Sequence, residues 1–174
     1  MIALSGAIPS QAALVSVGGT ANMLARWDRF VDTAQPYLTA DTSKDARCWR
    51  FVCAPGILDA GPVSGVWRVS RTSRGNTYPV AVLTSDVAAD ASDPWFEAAD
   101  QMLAGAIEYA HRLDHITAHL RQLPIMQKST CREDGARFWF EDWEVHELYF
   151  PNIHDLAAGG FAQMLEPRPV LEDG

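Results

Sequence analysis

Cys48-Trp49-Arg50-Phe51-Val52-Cys53-Ala54-Pro55-Gly56, then Gly65-Val66-Trp67-Arg68-Val69-Ser70, then Tyr78-Pro79-Val80-Ala81-Val82-Leu83-Thr84: the reading of these three segments decides the fold. Each is rich in β-branched and aromatic residues and bounded by Gly, Pro, Ser or Asn, which is the composition of strands in a buried or half-buried sheet. The tip Ser73-Arg74-Gly75-Asn76-Thr77 supplies the Gly and Asn that tolerate the positive φ of a hairpin turn, so the second and third segments are expected to pair antiparallel. The rest of the chain is expected to pack on this sheet. The fold class is α/β of the α+β type, one domain with a central, largely antiparallel sheet flanked by helices.

The length of 174 residues suits one domain, and 48% hydrophobic residues can supply a substantial core. We assign residues 1–165 to that domain and 166–174, with two prolines, to a flexible tail. Fourteen basic against 22 acidic residues give a formal net charge of -8, which disfavours a generic nucleic-acid binder or an anionic lipid surface. No apolar run approaches the roughly 20 residues of a membrane-spanning helix, and Met1 to Gly6 lacks the pattern of a secretory signal. Membrane insertion is not expected. Cys48 and Cys53, five apart on one predicted strand, point to opposite faces and cannot bridge, so reduced cytoplasmic thiols are the simplest reading.

Outward from the central segments, Ile2 to Ile8 is a candidate first strand. Thr20 is a candidate N-cap for a helix carrying Met23, Leu24, Trp27, Phe30 and Val31 on one face and Arg26, Arg29 and Asp32 on the other, with Pro36 beyond it. Asp93-Pro94 pairs an N-cap with a proline at the first helical position, and the apolar stripe that follows survives to Leu120, which predicts one long helix ended by Pro124. Arg137 to Phe140 and Glu147 to Phe150 are aromatic-rich strand candidates that would extend the sheet. Asn152 or a neighbour caps a last helix through Leu156, Phe161, Met164 and Leu165, weakened by Gly159-Gly160.

The side chains that could carry chemistry do not assemble into a recognisable catalytic set. His111, His115 and His119 repeat at a spacing that puts imidazoles on one helical face, as a zinc site requires, and a metal-dependent enzyme built on them is one alternative reading. On the same wheel they join Glu97, Gln101, Glu108 and Arg112, the polar face of an amphipathic helix, and Arg112 stands where a zinc hydrolase has its glutamate. No metal or other cofactor is assigned. Glu141, Asp142, Glu144 and Glu147 read as a solvated acidic loop, and Cys53 and Cys131 as buried or idle thiols. Neither Gly18-Gly19 nor Gly56 to Gly65 has the lysine or the spacing of a phosphate-binding loop.

Arg68, Arg71 and Arg74 form the densest cluster of like charge. Alternation puts Arg68 and Ser70 on one face of the strand and Trp67 and Val69 on the other. The arginines read either as a solvated hairpin that discourages edge pairing or as a docking surface for an acidic or phosphorylated partner. If they dock a partner, reversing all three to glutamate is expected to leave folding cooperative and weaken binding. Trp27, Trp95 and Trp139 fall on predicted core faces, while Trp67 and Trp143, near hairpin ends, are the candidate interface anchors.

Tyr37-Leu38-Thr39-Ala40, Trp49-Arg50-Phe51, Pro55-Gly56, Gly65-Val66, Arg74-Gly75 and Tyr78-Pro79 resemble, in order and spacing, the pattern of the TagF family, also called ImpM, accessory proteins of bacterial type VI secretion. Gly6-Ala7-Ile8-Pro9-Ser10 and Trp27-Asp28-Arg29 resemble further family segments. Gln11-Ala12-Ala13 stands where members usually have glycine-aspartate-phenylalanine, and Thr72-Ser73-Arg74-Gly75-Asn76 replaces aspartate-arginine-x-glycine-arginine. The resemblance implies an α/β domain and a non-enzymatic cytoplasmic regulator that restrains the secretion apparatus, in some members by binding a forkhead-associated scaffold protein. An adaptor with the same fold in another pathway is a further reading.

Overall fold

A computed structural model describes residues 1–39, 42, 47–127, 134–140 and 147–165. Its centre is a seven-stranded sheet in the order β2-β1-β5-β4-β3-β6-β7. The strands are β1 (Ile2–Gly6), β2 (Val15–Gly18), β3 (Trp49–Cys53), β4 (Val63–Arg71), β5 (Thr77–Ser85), β6 (Ala136–Trp139) and β7 (Glu147–Phe150). Every pairing is antiparallel. The three segments expected at the centre are β3, β4 and β5, and β4 pairs with β5 from Val63↔Ser85 to Arg71↔Thr77 across the expected hairpin. In its tip, Gly75 takes φ +84° and the Thr72 amide donates to the Asn76 carbonyl at 2.9 Å.

Helices cover both faces. On one face lie α1 (Ala21–Asp32) and α4 (Ile153–Leu165), which bury Met23, Trp27, Phe30 and Val31, and Leu156, Phe161, Met164 and Leu165, against Trp49, Phe51, Trp67 and Phe138 of the sheet. On the other lie α2 (Pro94–Glu108) and α3 (Leu113–Leu120), packed on Leu4, Val52, Val66, Val82 and Trp139. The strands alternate between these two cores, as a sheet covered on both sides must. Cys53 lies in the first core and Cys48 in the second, on opposite faces as the spacing implied.

Aromatic stacking fills the α1 side. Trp27 lies parallel to Phe51 at 5.5 Å, and Phe51 stacks on Phe138 at 5.1 Å. Gly65, opposite Phe51 in the register, makes room for that ring: a Cβ there would stand 2.5 Å from Phe51 Cζ and 2.7 Å from the Val82 carbonyl oxygen. Trp27, Trp95 and Trp139 are buried, as their predicted core faces require. The caps are also those expected. Thr20 Oγ1 accepts from the Met23 amide at 3.0 Å, Asp93 Oδ1 from Trp95 at 2.9 Å, and Asn152 Oδ1 from His154 at 2.9 Å.

Two elements differ from the sequence reading. The strand β2 was not anticipated, since four residues carry too little periodicity to declare themselves. The expected helix from Pro94 to Leu120 is two helices. Ala110 adopts φ +49°, and the His111 amide donates to the Ala106 carbonyl at 3.1 Å, the six-to-one closure of a Schellman turn. A hydrophobic stripe cannot reveal this, because both helices cover the same face of the sheet and the apolar period resumes after the turn.

Candidate functional site

One end of the sheet gathers three segments distant in sequence. The connection from Ala7 to Leu14 lies against the β4–β5 tip, with the Ser73 amide donating to the Gln11 carbonyl at 2.7 Å and the Ala7 amide to the Pro79 carbonyl at 3.2 Å. Ser10 Oγ donates to the His111 carbonyl at 2.7 Å, which ties the same connection to the turn between α2 and α3. The tip is closed from within by Thr72, 4% exposed, whose Oγ1 accepts from the Asn76 amide at 3.3 Å. Gln11-Ala12-Ala13 and Thr72 to Asn76, the two places where the chain departs from the resembled pattern, therefore meet on one surface.

The three arginines of the hairpin part company. Arg71 and Arg74 are exposed, and among the described residues no carboxylate forms an ion pair with either. Arg68 lies under α2, where its Nε donates to Asp100 Oδ1 at 2.8 Å and its Nη2 reaches the same oxygen. Arg50, on the same face of β3, donates from Nη2 to Glu97 Oε2 at 2.7 Å and stands 3.7 Å from Asp100 Oδ2. This cluster fastens α2 to the sheet. It also borders Cys48, whose thiol is pushed well above its ordinary range by burial, with the negative charge of Asp100 adding to the effect. Such a thiol is protonated and unreactive at neutral pH.

Trp67, expected near an interface, is fully buried between Trp49, which it meets at 6.4 Å, and Phe161 of α4 at 5.0 Å. It belongs to the core and offers no surface to a partner, because its strand is covered on both sides and only the polar tip leaves the sheet. Trp143 lies outside the described residues, as do Cys131, Glu141, Asp142 and Glu144. Glu147 forms an ion pair with Arg137 across the β6–β7 pair, with Nε 3.0 Å from Oε1.

Sequence reasoning missed the two carboxylates that hold the scaffold. Asp100 is the counter-ion of Arg68, and its place one turn from Glu97 on the polar side of α2 was the available signal. Asp59, 8% exposed, accepts from Thr20 Oγ1 at 2.7 Å, Asn22 Nδ2 at 2.9 Å and the Ala60 amide at 2.9 Å. These bonds, Asn22 and Thr20 first, hold its carboxyl below the ordinary range. They pin the loop after Pro55-Gly56 to the start of α1, and Arg26 adds a bond to the Gly56 carbonyl.

The histidines come close together in spite of the helix break. His111 sits in the turn and His115 and His119 on α3, with Tyr109, 68% exposed, stacked on His111 at 5.9 Å.

These features define a three-layer α+β domain on an all-antiparallel sheet, its exposed arginines and two altered loops grouped at one end. PA0076 from Pseudomonas aeruginosa PAO1, known from a crystal structure, shares this fold at a TM-score of 0.73 and 16% identity, with all of both chains covered. A family model described as the TagF N-terminal domain, type VI secretion system-associated, matches residues 3–123, and the chain belongs to that family. No curated protein matches the chain. Beyond residue 123, β6, β7 and α4 complete the sheet and one of its faces. No helix among the described residues is long and apolar enough to cross a membrane.

Proposed function

We propose that this chain is a non-catalytic, cytoplasmic regulator of type VI secretion that works by binding a protein of the machinery, a forkhead-associated scaffold protein being the favoured partner. The family match over residues 3–123 is the observation that carries the reading. The exposed pair Arg71 and Arg74 supports it, since guanidinium forks suit an acidic or phosphorylated protein surface. The partner docks on the end of the sheet formed by the hairpin tip and the Ala7 to Leu14 connection. Arg68 and Trp67 hold the scaffold beneath that surface.

The test is recovery of the full chain from its native host. Wild type is expected to bring down secretion-system components, and the Arg71→Glu/Arg74→Glu variant to bring down less of them, with a loss that shrinks as salt is raised. If the wild-type chain recovers no such component and its deletion leaves control of secretion intact, the proposal fails.

A further inference from the structure

Among the described residues no group of three or more His, Cys, Asp or Glu side chains is arranged to hold a metal ion, so the clustered histidines carry no metal site. The cavity between α1 and α4 is differently equipped. It has a volume of about 260 Å³ and is lined by Arg26, Arg29 and Phe30 of α1 and by Ile153, His154 and Ala157 of α4. Its walls follow from helical spacing. Arg26 and Phe30 lie one turn apart on α1 with Arg29 beside them, and Ile153, Ala157 and Gly160 follow one another along the side of α4 that faces α1. At Gly160 the two helices close up, where Phe30 stacks on Phe161 at 4.4 Å. One turn earlier the short side chain of Ala157 leaves the gap open. We propose that this cavity is a docking site for an acidic segment of a partner protein, taking one apolar side chain onto Phe30, Ile153 and Ala157 and a neighbouring carboxylate onto Arg29.

Two arginines and a histidine line the cavity, and no carboxylate does. Arg26, half-buried, donates from Nη1 to the Gly56 carbonyl and to the Ile57 carbonyl at 3.2 Å, which fixes its guanidinium in place. Arg29 is exposed, and among the described residues no carboxylate stands within ion-pair distance of either arginine. Asp155, next to His154 in sequence, is taken up by Asn152, whose Nδ2 donates to its Oδ2 at 2.8 Å. Phe30 is buried and Ile153 and Ala157 are half-buried, so the floor is apolar. In a chain of formal net charge -8 this is a local positive field over an apolar floor, and its complement is a carboxylate beside an apolar side chain. Small-molecule sites usually enclose about 300–1,000 Å³. A smaller cavity between two helices suits one anchor side chain of a longer segment, seated as interface hot spots are. The cavity shares no residue with the hairpin tip, so it stands or falls apart from the docking of a secretion-system component there.

The experiment is selection of a random peptide library displayed on phage against the full chain carrying Arg71→Glu and Arg74→Glu, which removes the arginines of the hairpin tip from the selection. Enriched peptides are expected to place Asp or Glu beside Leu, Ile or Phe. Synthesised with blocked ends, they should bind one to one and more weakly as salt is raised. Arg29→Glu should weaken them at least about tenfold, and so should Ala157→Leu, which fills the cavity. Restoring Arg71 and Arg74 should leave their affinity unchanged. Arg29 is exposed and Ala157 borders the cavity, so both variants should melt with their parent; if Ala157→Leu does not, Arg29→Glu alone decides. No enrichment, no selected peptide binding below about 1 mM, selected peptides without acidic residues, affinity unchanged by the substitutions, or octanoate binding as tightly as the peptides would overturn the proposal.

Discussion

Reversing the charge of Arg68 should damage the fold, whereas reversing Arg71 and Arg74 should not. The Arg68 and Asp100 side chains are 17% and 16% exposed and share two hydrogen bonds, with Arg50 3.7 Å from the other Asp100 oxygen. Removing one member of a buried ion pair costs about 3–5 kcal/mol, and the residual exposure and the compensating Arg50 place this case near about 3. A glutamate in place of Arg68 adds a like charge facing Asp100, worth on the order of 1 kcal/mol once the new side chain swings toward water. The sum of about 4 kcal/mol lowers the melting temperature by about 8–16 °C in a domain of this size. Exposed Arg71→Glu and Arg74→Glu changes should each stay within about 0.5 kcal/mol. The assay is urea and thermal unfolding of the three single variants, with Asp100→Arg and the Arg68→Glu/Asp100→Arg swap completing a double-mutant cycle. The swap should recover part of the loss, with a coupling of about 2 kcal/mol. An Arg68→Glu variant as stable as Arg71→Glu, or a swap whose effects simply add, would refute the reasoning. Of the three arginines whose joint reversal was expected to leave folding cooperative, Arg68 is thus the one whose reversal should cost stability.

Ala110→Gly should stabilise the protein by about 1 kcal/mol, because a non-glycine residue at φ +49° is strained; in one unbroken helix the same change would destabilise by about that much, so the sign of the shift in urea midpoint decides. Asp59→Ala should cost about 1–3 kcal/mol at neutral pH by leaving its donors unpaired. Since the folded carboxyl lies below its ordinary value of 3.8, its contribution is complete above that value and is lost as pH falls through the folded pKa. The gap between wild type and variant should therefore narrow between pH 7 and about pH 3 in urea titrations, and a constant gap would exclude it.

Much of the fold could be read from residues whose identity is set locally. Thr20, Asp93 and Asn152 are caps whatever they pack against, Gly75 belongs to a turn, and strand alternation separates Cys48 from Cys53. What could not be read depends on contacts between distant segments. The strand β2 exists because β1 offers it a free edge, with Ala3 opposite Gly18 through Gly6 opposite Val15. The break at Ala110 is invisible because alanine, the best helix former, occupies a conformation that only the closure from His111 to Ala106 enforces.

The site shows the same division more sharply. Alternation correctly put Arg68 opposite Trp67 in orientation, but it could not say that both faces of the strand are covered. A basic side chain on a strand belongs to the surface only where the layer above it ends. For β4 that place is Arg71, where the hairpin leaves the sheet, and three residues earlier Asp100 of α2 already stands over the strand to receive Arg68. The arginine cluster seen in sequence is therefore two features with different physics. One is a clamp, whose strength comes from its partial burial and survives added salt; the other is an exposed pair, whose attraction to any acidic surface must weaken as salt is added.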